Sequence, residues 1–390
     1  MNNKQQILGL IVLAFLLINC SNNNAIISKN QKIDFKSPLF VRMVDANQTG
    51  GRSNYAYAYS PTIIREKNRY HAFFCSPGDV SGKSMGEWDF IRYTSSEDAK
   101  SWTNPTIALK AQSDQRGLDY SACDPSLVFF QGFYYLFYSG AENIRGPVST
   151  GLNKDEVLQT VVRVARAENI EGPYLKYTRR HTWEINASDP MAIVSPANDV
   201  RPLSEQKNLY GAGQQSVVVH NGKLWMWYLD TTAQKNKKNS IYLLSSNNPV
   251  KWNAKQGIAT DNDTVGLDVK YDSQTGFFIS LGLPRQSPDQ AESAMVLKLS
   301  KDGIHWSQKQ TILNITNMAH WVRPEGGISS DPEGILSSGE TLFAFPVPHN
   351  LGEAQQSDTK HHEVPFWDIY TFSVNDVSKQ LLSRIISGQK

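Results

Sequence analysis

The sequence predicts an all-β fold, a five-bladed β-propeller of four-stranded antiparallel blades, on three observations. Strand-like segments recur five times, each opened by small or turn-forming residues and followed by a second apolar run. Three of the five units run into the same turn motif. The 390 residues are rich in aromatics (9 Trp, 16 Tyr, 16 Phe) and in turn formers (26 Gly, 18 Pro), while charged residues make up only 19%. That composition excludes a disordered chain, a coiled coil and a polytopic membrane protein. With 39 Lys+Arg against 37 Asp+Glu there is no basic excess to attract nucleic acid.

The openers span residues 59–64, 123–128, 214–219, 266–270 and 331–336, and their partner strands 69–75, 133–139, 223–229, 276–281 and 341–346. Short polar turns such as Gln131-Gly132 and Asn221-Gly222 join each pair, as hairpins require. Third strands follow at 89–94, 161–167, 240–245, 294–299 and 367–373. The repeated turn reads Ser96-x-Asp98-xxx-Trp102, Ser246-x-Asn248-xxx-Trp252 and Ser300-x-Asp302-xxx-Trp306. An Asp or Asn two residues after a Ser caps a tight turn with its side chain, and the Trp four further on packs back into the blade. Unit 2 carries a degenerate version around Asn169 and Tyr174. Residues 38–44 alternate apolar and polar and are expected to close the ring against the last blade, protecting its open edge. A β-sandwich is the alternative fold.

Three segments are expected: 1–19 as a signal peptide, 20–37 as a tether, and 38–390 as one propeller domain. The apolar run 7–18 is too short to span a bilayer and lies where a secretory signal has its core. Its ending, Leu17-Ile18-Asn19-Cys20, resembles a bacterial lipobox, with Asn19 where a small residue is usual. Cys20 would then be lipidated, Ser21 would favour the outer membrane, and the propeller would lie outside the cytoplasm, touching the membrane only through its anchor. An ordinary cleaved signal peptide is the other reading. Cys75 and Cys123 remain; in an oxidising compartment they either pair or stay as two buried thiols. Propeller geometry brings the end of strand two of blade 1, at Cys75, towards the start of blade 2, at Cys123.

With Asp124-Pro125-Ser126-Leu127 opening blade 2, the chain resembles the five-bladed propellers of glycoside hydrolase family 43 and its arabinanase and levansucrase-like relatives. In that group the first three inner strands each bring a carboxylate to a central pocket: a general base in blade 1, a pKa-tuning Asp in blade 2 and a general acid in blade 3. The resemblance implies the tuning role for Asp124. Ser60 stands where the base would be, and Gln214-Gln215 where the acid would be, so two of the three roles are empty. Replacement carboxylates are expected at Asp331, Glu333 and Asp268, with Asp119 and Glu325 as further candidates. Asp331-Pro332 repeats the Asp-Pro opener, although such a dipeptide also simply starts a strand after a turn. Asp268 stands between Leu267 and Val269, where a carboxylate needs a partner.

Sugar binding needs aromatic faces together with amide and hydroxyl groups. Tyr59, Ser60, Tyr120, Gln214, Gln215, His320 and Arg323 are the candidates. No cofactor is required; the resemblance implies a possible structural Ca²⁺ in the central channel, with His320 or His349 as its axial ligand. The sequence has neither a Gly-x-Gly-x-x-Gly nor a P-loop motif. The expected protein is a monomeric, carbohydrate-active lipoprotein. It is either a glycoside hydrolase with a displaced carboxylate pair, acting on arabino- or xylo-configured glycans, or a non-catalytic glycan-binding relative. A protein-binding scaffold is the third reading.

Overall fold

The computed structural model describes residues 39–49, 57–78, 89–112, 118–119, 121–143, 158–198, 211–232, 240–284, 294–314, 325–336, 338–348 and 367–388. They form five antiparallel blades. Blade 1 comprises Tyr59–Glu66, Arg69–Pro77, Asp89–Ser96 and Thr106–Leu109; blade 2 comprises Ser121–Phe130, Phe133–Asn143, Leu158–Ala167 and Leu175–Tyr177, with Trp183–Glu184 added outside. Blade 3 is built from Ala212–His220, Lys223–Asp230, Ser240–Ser246 and Ile258–Ala259, and blade 4 from Thr264–Asp272, Phe277–Pro284, Ala294–Ser300 and Gln310–Asn314. Blade 5 takes Gly327–Ser330, Glu340–Pro348 and Trp367–Asn375 from the end of the chain and its outer strand, Val41–Val44, from near the beginning. That strand runs antiparallel to Trp367–Asn375 (Val41 opposite Thr371), closing the ring as its alternating sequence predicts.

The period-2 alternation of the strands explains where the core lies. Each sheet buries both faces, and among the described residues an apolar cluster lies between each pair of successive blades. Ile63 packs towards Leu342 and Ile369 of blade 5, while its neighbour Ile64 packs towards Leu127 and Leu136 of blade 2. Val128 and Val217 meet between blades 2 and 3, and Val218 and Val269 between blades 3 and 4. Ile279, Leu297, Ile328 and Phe343 fill the space between blades 4 and 5, which the C-terminal helix Val377–Gly388 extends with Val377 and Leu381.

A hydrogen-bond latch repeats on the inner strands. The N–H of Val217 donates to Ser126 Oγ (2.9 Å), that of Val269 to Ser216 Oγ (2.8 Å), and that of Ile328 to Asp268 Oδ2 (2.8 Å). Each joins a blade to the next through a side chain at the same strand position. Blades 5 and 1 meet instead through parallel backbone pairing, Ser329 opposite Ile63. Gly327 permits this approach, since a Cβ there would lie 2.1 Å from the Pro61 carbonyl oxygen.

The repeated turn forms as its sequence predicts. Asp98 Oδ1 accepts from the N–H groups of Lys100 (2.8 Å) and Ser101 (2.7 Å), and Asp302 Oδ1 from those of Ile304 and His305. Trp102, Trp252 and Trp306 each donate an indole N–H to a carbonyl of their own turn. These backbone donors hold the Asp98 carboxyl down at about 2, and Asp302 is lowered as well.

The fifth opener departs from expectation. The inner strand of blade 5 is Gly327–Ser330, and Asp331-Pro332-Glu333-Gly334 is the turn that follows it. This turn crosses the ends of the other inner strands. The Pro332 carbonyl accepts from Phe129 N–H (2.6 Å), Glu333 from Val219 (2.8 Å) and Gly334 from Tyr271 (3.0 Å), and Leu336 N–H donates back to Tyr271 (2.8 Å). Residues 331–336 therefore plug one end of the ring.

Candidate functional site: a ring of five inner-strand positions

The other end of the inner strands carries the site. Four of them break register with their neighbour at one equivalent place, between Tyr59 and Thr62, Cys123 and Ser126, Gly213 and Ser216, and Val265 and Asp268. At each bulge one residue has a left-handed backbone: Ser60 (φ 52°), Asp124 (48°), Gln214 (48°) and Gly266 (59°). Three of these are not glycine, and such strain concentrates where side chains are held for a purpose. Aligning blade 5 through the pairs Gly327–Ala344 and Thr62–Phe73 puts Glu325 at the fifth equivalent position. These five residues, together with Pro61, Pro125, Gln215, Leu267, Asp268 and Gly326, line one pocket.

Ring position decides which carboxylates can cooperate. Asp124 and Glu325 are the two acidic residues among the five, contributed by the blades on either side of Ser60. Gln214 ties the ring together: its amide nitrogen donates to Glu325 Oε1 (2.5 Å), and its amide oxygen accepts from Gly266 N–H (3.2 Å). The second contact fixes which end of the amide faces the carboxylate. Gly266 is required here, because a Cβ would lie 2.5 Å from Glu325 Cγ. Gln215 reaches the other way and donates its amide N–H to the Asp124 carbonyl.

Asp124 is held by covalent chemistry. Cys75 and Cys123 form a disulfide joining blades 1 and 2, and the Asp124 N–H points at Cys75 Sγ (2.9 Å). These cysteines lie close to the Asp124 carboxylate, but bonded sulfurs offer no thiolate for a metal. Tyr59 is buried beside the pocket rather than lining it. Its ring packs edge-on against Trp367, and its hydroxyl lies 3.0 Å from Cys123 Sγ and 3.3 Å from Asp89 Oδ2. Burial first, and then the charges of Asp89, Asp124 and Glu325 among its neighbours, push the Tyr59 hydroxyl well above its ordinary range. It stays a protonated donor. Asp89, which the sequence reading did not single out, also accepts from Tyr57 (2.6 Å) and Ser121 (3.1 Å).

The sequence candidates thus divide. Ser60, Asp124, Gln214 and Gln215 line the pocket. Asp268 lines it too, but its oxygens are engaged: Oδ1 by Ser216 Oγ (3.0 Å) and Lys270 Nζ (2.6 Å), and Oδ2 by the Ile328 N–H. It braces blade 4 against its neighbours. Asp331 and Glu333 belong to the plug at the opposite end, where the Asp331 carboxylate caps its own turn through the N–H groups of Glu333 (2.9 Å) and Ile335 (2.8 Å). Their expected place in the pocket is corrected to the far side of the ring. Asp119 is buried in blade 2, between Arg163 (3.1 Å) and Lys176, as part of an ion network. Cys20, Tyr120, His320, Arg323 and His349 lie outside the described residues. The sequence offers Glu325 only as a further candidate, because Asp331-Pro332 imitates the opener of blade 5; the run Glu325-Gly326-Gly327-Ile328, glycines leading into a β-branched residue, is the signal that places it on the ring.

No family model and no curated protein matches the chain. Solved structures do. An N-acetylgalactosamine deacetylase from F. plautii, in complex with blood group B trisaccharide, superposes with TM-score 0.57 at 16% identity, covering 86% of this chain and 95% of that one. A GH62 hydrolase in complex with xylotriose gives 0.54 at 11%, over 86% and 96%. The α-L-arabinofuranosidase PaAbf62A from Podospora anserina, in complex with cellotriose, gives 0.51 at 14%, over 85% and 94%. At these identities the likeness is one of fold. The chain has the five-bladed propeller fold of such glycoside hydrolases.

The channel below the pocket bears on the Ca²⁺ that the resemblance implies. Ca²⁺ takes six to eight oxygen ligands. Beneath the pocket, the fully buried ammonium of Lys270 is paired with Asp268. A cation already bound covalently to the chain does not fit a divalent metal at the same spot.

Proposed function

We propose that this protein is a carbohydrate-active propeller, a glycoside hydrolase in which Asp124 and Glu325 replace the carboxylate pair missing from blades 1 and 3. One observation carries the reading: of five equivalent inner-strand positions around one pocket, these two hold carboxylic acids. Glycoside hydrolysis needs one carboxyl group to protonate the leaving oxygen and another to activate water or attack the sugar. Glu325 accepts the Gln214 N–H and so is oriented as an acceptor, the arrangement of a base. Asp124, anchored by the disulfide, then supplies the proton. Ser60 and Gln215 offer hydroxyl and amide groups for sugar hydroxyls.

The oligosaccharides bound in three solved structures of similar fold support this substrate class. The leader ending in Cys20, and a disulfide suited to an oxidising compartment, support a bacterial lipoprotein with its pocket outside the cytoplasm. Asp124→Asn and Glu325→Gln are each expected to lower turnover of a responsive arabino- or xylo-oligosaccharide roughly a thousandfold while leaving its dissociation constant within about threefold. Oligosaccharide binding by calorimetry with no released sugar from the unaltered protein would establish capture in place of hydrolysis.

A further inference from the structure

Asp268 and Lys270 are two residues apart on the inner strand of blade 4 and so share a face. Asp268 lines the pocket and reaches both flanking blades, Ser216 of blade 3 and Ile328 of blade 5. The next residue after Lys270, Tyr271, pairs with the plug at Gly334 and Leu336. Lys270 is therefore enclosed between the pocket floor above and the plug below, and is 1% exposed. Its charge reaches Asp331: burial raises the Asp331 carboxyl, and Lys270 is among the groups that pull it back down.

A buried ammonium is costly unless it is paired, and Asp268 Oδ1 at 2.6 Å pairs it. The carboxylate has the matching need. It is 7% exposed and its two backbone and hydroxyl donors are neutral, so the charge balance at the axis depends on the lysine. The oxygens gathered there, from Asp268, Ser216 Oγ and the Val269 carbonyl that Ser216 approaches at 3.3 Å, are hard donors that a divalent cation would otherwise accept.

We infer that the Lys270 ammonium is the resident cation of the propeller channel, occupying the place of a divalent metal and making the fold independent of one. The inference stands apart from the hydrolase reading, because it concerns charge at the axis and its test reads stability rather than turnover. Melting of the purified protein is expected to stay within about 1 °C whether 1 mM CaCl₂ or EDTA is present. Lys270→Met removes the cation and leaves the oxygens, so its melting point is expected to fall and then to rise by about 4 °C or more with Ca²⁺, as binding to the folded state alone requires. Lys270→Arg, which keeps a cation, is expected to remain indifferent to Ca²⁺. If Lys270→Met does not accumulate as folded protein, refolding it with and without Ca²⁺ replaces the melt, and recovery with Ca²⁺ alone supports the inference. A melting point of the unaltered protein that moves with Ca²⁺ or EDTA overturns it. So does a Lys270→Met protein whose stability or refolding Ca²⁺ does not change.

Discussion

Two Asp-Pro dipeptides occupy opposite ends of the same ring. Asp124-Pro125 forms the bulge of blade 2, with left-handed backbone at the aspartate, its N–H on the disulfide and its side chain in the pocket. Asp331-Pro332 follows the inner strand of blade 5, and its carboxylate folds back on the N–H groups of its own turn. The dipeptide is identical, yet one carboxylate faces a cavity and the other completes a plug. Burial pushes the Asp331 carboxyl upward, against the pull of the Ile335 and Glu333 N–H groups. Position relative to strand polarity, not local sequence, separates the acid available for chemistry from the structural one.

The strongest way to break that comparison is to make the same change in both. Asp124→Asn should cost about a thousandfold in turnover, whereas Asp331→Asn and Glu333→Gln should stay within about twofold; a large loss at Asp331 would return the plug to the site. Removing the disulfide comes next. Cys75→Ser with Cys123→Ser should lower stability by about 2–4 kcal/mol, measured by urea unfolding, and should reduce turnover further by releasing the Asp124 bulge.

A smaller effect distinguishes the two ends by pH. The Asp331 carboxyl is raised in the folded protein, so its stability contribution is full below the unfolded-state pKa and is lost as pH rises through the folded one. Asp331→Asn should therefore gain stability relative to the unaltered protein as pH climbs through the carboxylate range towards 7, in melts taken at stepped pH. Asp98 has the opposite sign. With its carboxyl lowered to about 2, its contribution is present above the ordinary carboxylate value near 4 and disappears as pH falls through about 2. Asp98→Ala should melt slightly lower at pH 7, and the gap should close in strong acid.

Much of the architecture was legible in the chain because its causes are short-range. Alternating apolar residues such as Val217 and Val218 serve two neighbouring interfaces at once, and each Ser-x-Asp/Asn-xxx-Trp turn contains its own hydrogen-bond donors and acceptors. Ser60, Asp124 and Gln214 were also readable, since each stands at the head of a recognisable apolar run. Blade 5 was misread because Gly327–Ser330 is short and glycine-led, while Asp331-Pro332 imitates an opener.

From the sequence alone come the five sheets, the closing strand near the N-terminus and three of the five ring positions, all set by patterns within a few residues of one another. Only the folded chain decided that Glu325 lies beside Gln214, 111 positions away, that Cys75 bonds to Cys123, and that Lys270 is buried against Asp268. Those contacts depend on ring closure, which brings distant strands to one centre through the summed packing of all five interfaces, a quantity that no single segment encodes.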